Sequence, residues 1–346
     1  MPKKALTDAE CQHAINMVAL HGTKAEASRQ AGIPIGNLKH HVSEAKRRGL
    51  SATVAPPSDN KPLLDMVDRL QSENERLKRE VITACRPHFT VRHDSVPKTE
   101  KCRVVVIGDA HDSPGLSKDR FGWMSKYIRK QKPDYVIQIG DFANWDSLSV
   151  HSKPETYEGR SKPLFTEDLA SFNEALDALD CGGVEHHCTL GNHERRIYIA
   201  ENNAPQTYGI MQFELGRMLE RYKWTFSPYG EIYYLGGVGF VHAAINKMGK
   251  TFGGLNAEQT IANHSLHDLV IGHSHVDRKH RAPKIGNNKE VQIINVGCSL
   301  PQGHVESYAQ HSQTGWSFGI ANLTIQNGHV RDYQFISMER LKELHG

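Results

Sequence analysis

The sequence lacks a long hydrophobic run, and no apolar stretch approaches the roughly 20 residues of a membrane-spanning helix. Its first residues, Met1 to Ala5, lead into a polar stretch without the apolar segment of a secretory signal. The six cysteines form no C-x-x-C pair, which excludes a zinc ribbon and argues against a disulfide framework. We therefore expect a cytoplasmic protein with reduced thiols and no membrane partner.

An overall charge excess is also absent, but the charge is unevenly distributed. Residues 1–50 hold eight Lys and Arg against four Asp and Glu, a net charge of +4, whereas the whole chain carries +3. The other residues therefore sum to −1. Positive charge confined to one terminal module predicts a polyanionic partner, with a solvated basic face as the alternative.

Residues 1–50 predict three short helices. Apolar residues recur at helical spacing, with breaks at His21-Gly22 and at Gly32-Ile33-Pro34, and Thr23 to Glu26 has the form of a capping box. Small residues where helices cross, a glycine turn and a following polar-faced helix resemble the helix-turn-helix DNA-binding module. A three-helix module that binds protein is the alternative.

The helix-turn-helix interpretation assigns DNA contacts to the third helix. Its polar side chains would face the major groove, and the basic residues at its end would contact phosphates. The groove-facing residues are Asn37, Lys39, His40 and His41, and the phosphate-contacting residues are Lys46, Arg47 and Arg48.

A leucine-zipper register follows a Pro- and Ser-rich linker at residues 51–62. Every seventh residue is Leu, at positions 63, 70 and 77, and the other seam column is Val67, Asn74 and Val81. Asn on such a seam fixes register and oligomer state, so residues 63–84 predict a coiled coil that pairs two copies, with Glu73 attracting Lys78 across the dimer. The alternative is a single amphipathic helix packed on the catalytic domain. Residues 85–100 form a connector.

Residues 101–346 predict a layered α/β domain, because apolar runs alternate with helical stretches such as 119–130 and 167–179. Five of the apolar runs end in side chains that bind metals. Ligands gather beyond the carboxyl ends of strands in open α/β sheets, so these loops should converge on one site. The side chains are Asp109, His111, Asp141, Asn144, Asn192, His193, Glu194, His242, His273 and His275.

Carboxylate, imidazole and amide donors without thiolate suit divalent cations, with manganese our first expectation and iron or zinc as alternatives. Two cations about 3.5–4 Å apart can activate water and stabilise an in-line displacement at phosphorus. A bridging carboxylate must then lie between them. The sequence therefore predicts a two-metal hydrolase of phosphate esters.

In combination, D-x-H, G-D, G-N-H-E, H and G-H-x-H resemble the motifs of the calcineurin-like metallophosphoesterases. The resemblance covers roughly residues 101–300 and implies that family's layered fold, here preceded by the helix-turn-helix module and the short coiled coil. It implies that Asp141 bridges the two metals. It also implies that His193 lies outside the ligand set and protonates the leaving oxygen, with Glu194 orienting it. One metal would be held by Asp109, His111 and His275, and the other by Asn192, His242 and His273.

The segment after Asp141 departs from that of Ser/Thr protein phosphatases. It reads Phe-Ala-Asn-Trp, not Val-Asp-Arg-Gly, so protein dephosphorylation is not expected, and Asn144 should support the bridging carboxylate. Basic residues follow two of the motif loops and would bind further substrate phosphates at the rim, unless they form only solvated basic loops. They are Arg195, Arg196, Arg278 and Lys279.

Our leading hypothesis is a DNA-directed, two-metal phosphodiesterase, a nuclease that the zipper pairs into a homodimer. A small-nucleotide or cyclic-nucleotide phosphoesterase tethered to DNA is a second hypothesis, because fold analogy does not set the substrate. A dimeric DNA-binding regulator with a metal-sensing domain is a third. The joining of these parts suggests a phage or mobile-element protein.

Overall fold

The computed structural model describes residues 6–54, 66, 69–76, 100–151, 155–286, 289–306, 309 and 314–346. The chain divides into two units, Met1–Val81 and Ile82–Gly346. Within the described ranges, no helix is both long enough and apolar enough to cross a membrane.

Three helices form the N-terminal unit where the sequence predicts them: α1 (Asp8–His21), α2 (Lys24–Ala31) and α3 (Ile35–Arg47). Gly22 and Gly32 follow the first two helices with φ of 70° and 64°, a conformation that glycine adopts at little cost. The helices meet over a small buried core of Ala14, Ala27, Leu38 and Val42. The small alanines permit close crossing of the helices.

The predicted capping box at Thr23 forms only in half. The Thr23 hydroxyl accepts a hydrogen bond from the Glu26 backbone N–H at 3.2 Å, but the Glu26 carboxylate binds Arg29 and Gln30. These donors lie three and four residues further along the helix, where side chains are natural neighbours. The reciprocal box forms instead at the start of α1, between Thr7 and Glu10.

Most positions of the predicted zipper seam, including Leu63, Val67, Leu77 and Val81, lie outside the described residues, as does Lys78. Residues 69–76 are helical, and the Leu70 side chain is 59% exposed. Glu73 pairs with Arg76 of the same helix at 3.0 Å. Pairing of two copies stays a prediction.

Two sheets form the centre of the second unit. Six strands lie in one sheet, in the order β11-β10-β1-β2-β3-β4, and five in the other, in the order β5-β6-β7-β9-β8. The strands are β1 (Cys102–Ile107), β2 (Tyr135–Gln138), β3 (Glu185–Thr189), β4 (Thr225–Ser227), β5 (Tyr233–Leu235), β6 (Val238–Val241), β7 (Leu269–Ile271), β8 (Asp277–Pro283), β9 (Glu290–Val296), β10 (Gly319–Gln326) and β11 (His329–Ser337).

Seven α-helices accompany these strands in the described part of the chain. The two helices predicted at 119–130 and 167–179 are confirmed with small shifts at their ends. The seven are α4 (Asp119–Gln131), α5 (Tyr157–Arg160), α6 (Phe165–Ala178), α7 (Arg195–Asn203), α8 (Ile210–Arg221), α9 (Ala257–His264) and α10 (Met338–His345).

Strand alternation produces a layered arrangement. Successive side chains of a strand point to opposite faces, so Val104 and Val106 of β1 pack between the two sheets, whereas Val105 and Ile107 face the helices. Another apolar cluster packs α9 against the second sheet. The resulting order is helices, sheet, sheet, helix, which confirms the predicted layered α/β class.

Parallel strands set the position of the functional loops. β1, β2 and β3 run parallel in the first sheet, and β6 and β7 run parallel in the second. Each of these five strands is followed by one of the motif loops. The structure thus brings together loops from two sheets, whereas the sequence analysis expected them to converge at the edge of one open sheet.

Candidate metal centre

The motif loops deliver seven side chains with metal-binding atoms to one region. Asp109, His111 and His275 form one group whose ligand atoms lie within 4.8 Å of one another, and Asp141, His242 and His273 form another. The amide oxygen of Asn192 lies 2.9 Å from His242 Nε2 and so joins the second group. These side chains are therefore together in space, in the two groups that the family resemblance implies.

The first group directs acceptor atoms at a common point. His275 Nε2 lies 3.1 Å from Asp109 Oδ2 and 2.9 Å from His111 Nε2. His111 Nδ1 lies 2.6 Å from Asn144 Oδ1, an acceptor, so Nδ1 carries the proton and Nε2 presents its lone pair. A lone pair and a carboxylate oxygen that converge in this way fit a divalent cation.

The second group follows the same logic. His242 Nδ1 donates to the Ile139 carbonyl at 3.0 Å, which leaves Nε2, 3.3 Å from Asp141 Oδ2, as the ring atom that would bind a cation. Asp141 Oδ2 also lies 3.9 Å from His111 Nε2 of the first group. One buried carboxylate oxygen thus faces both groups, as a bridging ligand must.

The charges around Asp141 favour cations. Burial opposes ionisation of Asp141, but positive charge on His242 and His193 holds its pKa well below the usual value. Burial disfavours a charged His242, yet the carboxylates of Asp141 and Asp109 raise its pKa to about 9. The two carboxylates therefore stabilise positive charge at the point where the imidazole and amide ligands converge.

The donor set fits a pair of divalent cations. It comprises two carboxylates, four imidazoles and one amide, without thiolate. Manganese, iron and zinc all accept such ligands. No single metal is selected by this chemistry.

Glycines allow the loops to approach the ligands closely. A Cβ atom on Gly191 would collide with Asp141, and one on Gly272 would collide with Asp109. A Cβ on Gly140 would meet His242. The glycines beside the motif residues are therefore required by packing against the ligand side chains.

A family model described as calcineurin-like phosphoesterase matches residues 102–288, which hold all seven ligands. The chain belongs to the calcineurin-like phosphoesterase family. No curated protein matches the chain.

Among solved structures, this phosphoesterase is similar to wild-type Vps29 from Entamoeba histolytica complexed with zinc, at 13% identity and a TM-score of 0.31, over 68% of this chain and 99% of that chain. It is also similar to TT1561 of Thermus thermophilus, at 9% identity and a TM-score of 0.29, over 69% of this chain and 100% of that chain. Similarity at these scores carries no argument about substrate or metal.

His193 of the phosphoesterase lies against the bridging carboxylate. Its backbone N–H donates to Asp141 Oδ1 at 2.7 Å, and its Nε2 lies 3.8 Å from Asp141 Oδ2. With His111 and Asp141 it forms a third group of possible ligands. Burial lowers the pKa of His193, and the Arg196 guanidinium, 3.3 Å from Nε2, acts in the same direction. Its position outside the ligand set and its role as an acid stay predictions.

Glu194 makes contacts other than those the sequence suggested. Its carboxylate accepts backbone hydrogen bonds from Gly191 at 2.8 Å, Asp141 at 3.0 Å and Ala143 at 3.3 Å, and so ties two motif loops together. The His193 ring is oriented by the backbone carbonyl of Asn144, 3.1 Å from its Nδ1. Burial raises the pKa of Glu194 to about 7, and the neighbouring charge of Asp141 acts in the same direction.

Asn144 likewise supports a ligand other than the expected one. Its side-chain oxygen binds His111 Nδ1, not the bridging carboxylate. Its amide nitrogen donates to both oxygens of Glu306 at 3.3 Å. The structure thus places Asn144 behind His111, whereas the sequence analysis expected it behind Asp141.

The rim cations occupy different surroundings. Arg196 donates to the Asn144 carbonyl at 2.7 Å, and Arg195 is exposed beside it. Arg278 and Lys279 are neighbours on β8, so their side chains point to opposite faces. Arg278 donates to the Leu255 carbonyl at 3.1 Å. The sequence analysis expected Arg278 and Lys279 side by side, but strand alternation directs the two exposed side chains to opposite faces of β8.

Three residues near the centre escaped the sequence analysis. Glu306 reaches Asn144 from a segment without an apolar run, and Trp316 packs edge-on against His275 at 4.4 Å between ring centroids. Tyr229 lies 6.3 Å from the His242 ring. The proline and glycine that flank Tyr229 were the one available signal, because they indicate a turn.

Proposed function

We propose that this phosphoesterase is a two-metal phosphodiesterase directed to DNA, a nuclease. The observation that carries the proposal is the position of Asp141, whose Oδ2 faces a ligand group on either side. Two metals bound there would activate water and stabilise an in-line displacement at phosphorus. Asp109, His111 and His275 would hold one metal, and Asn192, His242 and His273 the other.

The chain's own residues beside the ligands suit an anionic phosphoryl group. The guanidinium of Arg196 is fixed by the Asn144 carbonyl and by Asp146, 3.4 Å away, and it borders His193. A fixed guanidinium supplies several N–H donors to phosphate oxygens. The ring of His193 is held on its Nδ1 side by the Asn144 carbonyl, and its Nε2 borders both the Arg196 guanidinium and the Asp141 carboxylate, where a bound phosphoryl group would lie.

The N-terminal unit supports the choice of DNA. Leu38, Val42 and Ala45 of α3 are buried, which leaves Asn37, Lys39 and His40 exposed around the rest of the helix. Such a face could enter a major groove, with cations at the end of the helix on phosphates. The groove-facing candidates Asn37, Lys39 and His40 are exposed, whereas His41 is half-buried.

The phosphate candidates at the end of α3 are already paired in part. Arg47 binds Glu44 at 2.9 Å, and Arg48 binds Glu44 and Asp8, each at 2.8 Å. Solvent-exposed ion pairs contribute little to stability, so these guanidiniums can exchange a carboxylate for a phosphate at small cost. Lys46 is exposed beside them.

The test compares DNA cleavage with hydrolysis of a small aryl diester, using manganese in both assays. Replacement of Lys46, Arg47 and Arg48 by Ala in the full-length protein should lower the DNA rate at moderate salt and leave the diester rate unchanged. The salt dependence of DNA affinity should fall by about 0.9 per lost phosphate contact. Replacement of Arg217, Arg331 and Arg340 by Ala is the charge-matched control, because these exposed cations lie in the catalytic unit.

An unchanged ratio of DNA to diester rates would contradict the assignment of α3. If the parent cuts no DNA but hydrolyses a mononucleotide or cyclic-nucleotide ester, the small-nucleotide hypothesis replaces the nuclease.

A further inference from the structure

Tyr229 is held at the edge of the metal centre by a short turn. The turn is closed by a hydrogen bond from Glu231 N–H to Pro228 O at 3.1 Å, and Gly230 adopts φ of 85° within it. The strand before it is tied to the Asn192 loop, because Leu190 N–H donates to Ser227 O at 2.9 Å. The Tyr229 ring is therefore placed next to the second ligand group, 6.3 Å from the His242 ring.

The guanidinium of Arg195 lies over this aromatic ring. Its guanidinium carbon lies 5.4 Å from the centroid of the Tyr229 ring, within the range of a cation–π contact. Arg195 is the first residue of the nine-residue helix α7, whose first turn holds no acidic residue. A cation at a helix N-terminus is opposed by the helix dipole. Stability of the helix therefore gives no reason for an arginine at this position.

Packing of the turn does not require a tyrosine at position 229 either. The turn is held by its backbone hydrogen bond and by the close approach of Gly230 to Ile245. A Cβ atom on Gly230 would collide with the Ile245 side chain. Tyr229 is only half-buried, whereas large aromatic side chains of the core such as Trp145 and Phe240 are fully buried. The ring is thus a preorganised, partly solvent-facing surface beside the ligands.

We propose that Arg195 and Tyr229 form a subsite for the nucleobase of the nucleotide whose phosphate lies at the metal centre. The inference deepens the proposed function and rests on it for the identity of the substrate. Bases stack on tyrosine rings and on arginine planes, and the charge of Arg195 suits the adjoining phosphate. A base inside a duplex is covered on both faces by its neighbours. The preferred substrate is therefore an unstacked nucleotide, in single-stranded DNA or at a frayed strand end.

The kinetic test uses two diesters with the same leaving group. One is the p-nitrophenyl ester of thymidine 5′-phosphate, and the other is the p-nitrophenyl ester of the base-free methyl deoxyriboside 5-phosphate. Tyr229→Ala should lower kcat/KM for the thymidine ester about 5- to 150-fold, the effect of losing one base–aromatic stack, and change the base-free ester less than about twofold. Tyr229→Phe should retain the preference, and Arg217→Ala is the matched arginine control for Arg195→Ala. Equal losses on both esters would show that Tyr229 only braces His242 and would overturn the proposal.

A binding test separates the subsite from the catalytic function. Isothermal titration of the manganese-loaded parent should show tighter binding of thymidine 5′-monophosphate than of the base-free sugar phosphate, and Tyr229→Ala should remove the difference. Equal affinity of the parent for both ligands would overturn the subsite. If the parent discriminates but hydrolyses neither diester, the subsite stands and the phosphodiesterase function fails.

Discussion

Replacement of Asn144 by Ala should selectively weaken one of the two metal sites. Asn144 is 3% exposed, its Oδ1 lies 2.6 Å from His111 Nδ1, and its Nδ2 binds Glu306. Removal of the amide leaves the His111 N–H without an acceptor in a place where that residue is 1% exposed. An unsatisfied buried donor costs about 1–3 kcal/mol. Loss of the hydrogen-bond partner of a metal-ligating histidine lowers metal affinity by about 10- to 100-fold. The corresponding loss of binding free energy is of the same size as the cost of the unsatisfied donor.

The affinity loss should fall on the metal held by Asp109, His111 and His275. The other site should keep its metal, because the His242 ring is fixed independently by the Ile139 carbonyl. Metal analysis after equilibrium dialysis against graded free Mn²⁺ should find two metals per chain in the parent and one in Asn144→Ala over an intermediate range. Glu306→Gln, which leaves the Asn144 oxygen on His111 and still accepts from the Asn144 amide nitrogen, is the matched control.

Two results would refute this reasoning. Loss of both metals in parallel would mean that Asn144 acts on the bridging Asp141, as the sequence alone suggested. Unchanged metal content in Asn144→Ala, with the variant folded by circular dichroism, would mean that His111 needs no such partner.

Three further predictions concern the bridge, the acid and the zipper. Asp141→Asn should abolish hydrolysis of an aryl diester and lower metal content, because an amide supplies no charge between two cations; normal metal content with normal activity would contradict the site. His193→Ala should keep both metals and slow turnover by ~10²–10⁴-fold, less for good leaving groups, whereas metal loss as in Asp141→Asn would make it a ligand. Deletion of residues 60–85 should convert a dimer to a monomer in sedimentation, and Asn74→Leu should raise thermal stability and admit trimers. A monomeric parent at micromolar concentration would contradict the prediction that residues 63–84 pair two copies.

The convergence of the seven candidate ligands could be predicted because each lies in a loop that directly follows an apolar run. Strand order within two sheets need not be known for such a prediction, since the carboxyl ends of parallel strands gather whatever their order. Glu306 lies 162 residues from Asn144 and reaches it through a segment without regular structure. No local sequence pattern marks a contact of this kind. The same holds for the contact between Arg195 and Tyr229.

The contacts of Glu194 and Asn144 could not be predicted for a different reason. The sequence showed polar side chains adjacent to ligands, and adjacency suggested that each supports its neighbour. In the structure, Glu194 binds backbone N–H groups of two loops, and Asn144 crosses to His111. The direction in which each side chain points depends on the backbone dihedrals of its loop residue. Adjacency to a ligand in the sequence does not determine those dihedrals.

Those dihedrals give support for the centre that is independent of any family resemblance. Among the described residues, eight non-glycine residues have positive φ, and five of them lie in the motif loops: His111, Asp141, Trp145, His273 and His275. The other three, Lys132, Lys223 and Asn327, lie at a helix end or in turns, where such conformations are common.

Each left-handed residue costs about 1–3 kcal/mol, and glycine would remove most of that cost. Glycine supplies no ligand atom, however, and four of the five strained loop residues carry imidazole or carboxylate groups of the centre. Glycine would relax the backbone at these positions, so imidazole and carboxylate groups held there at this cost are what a metal centre would require.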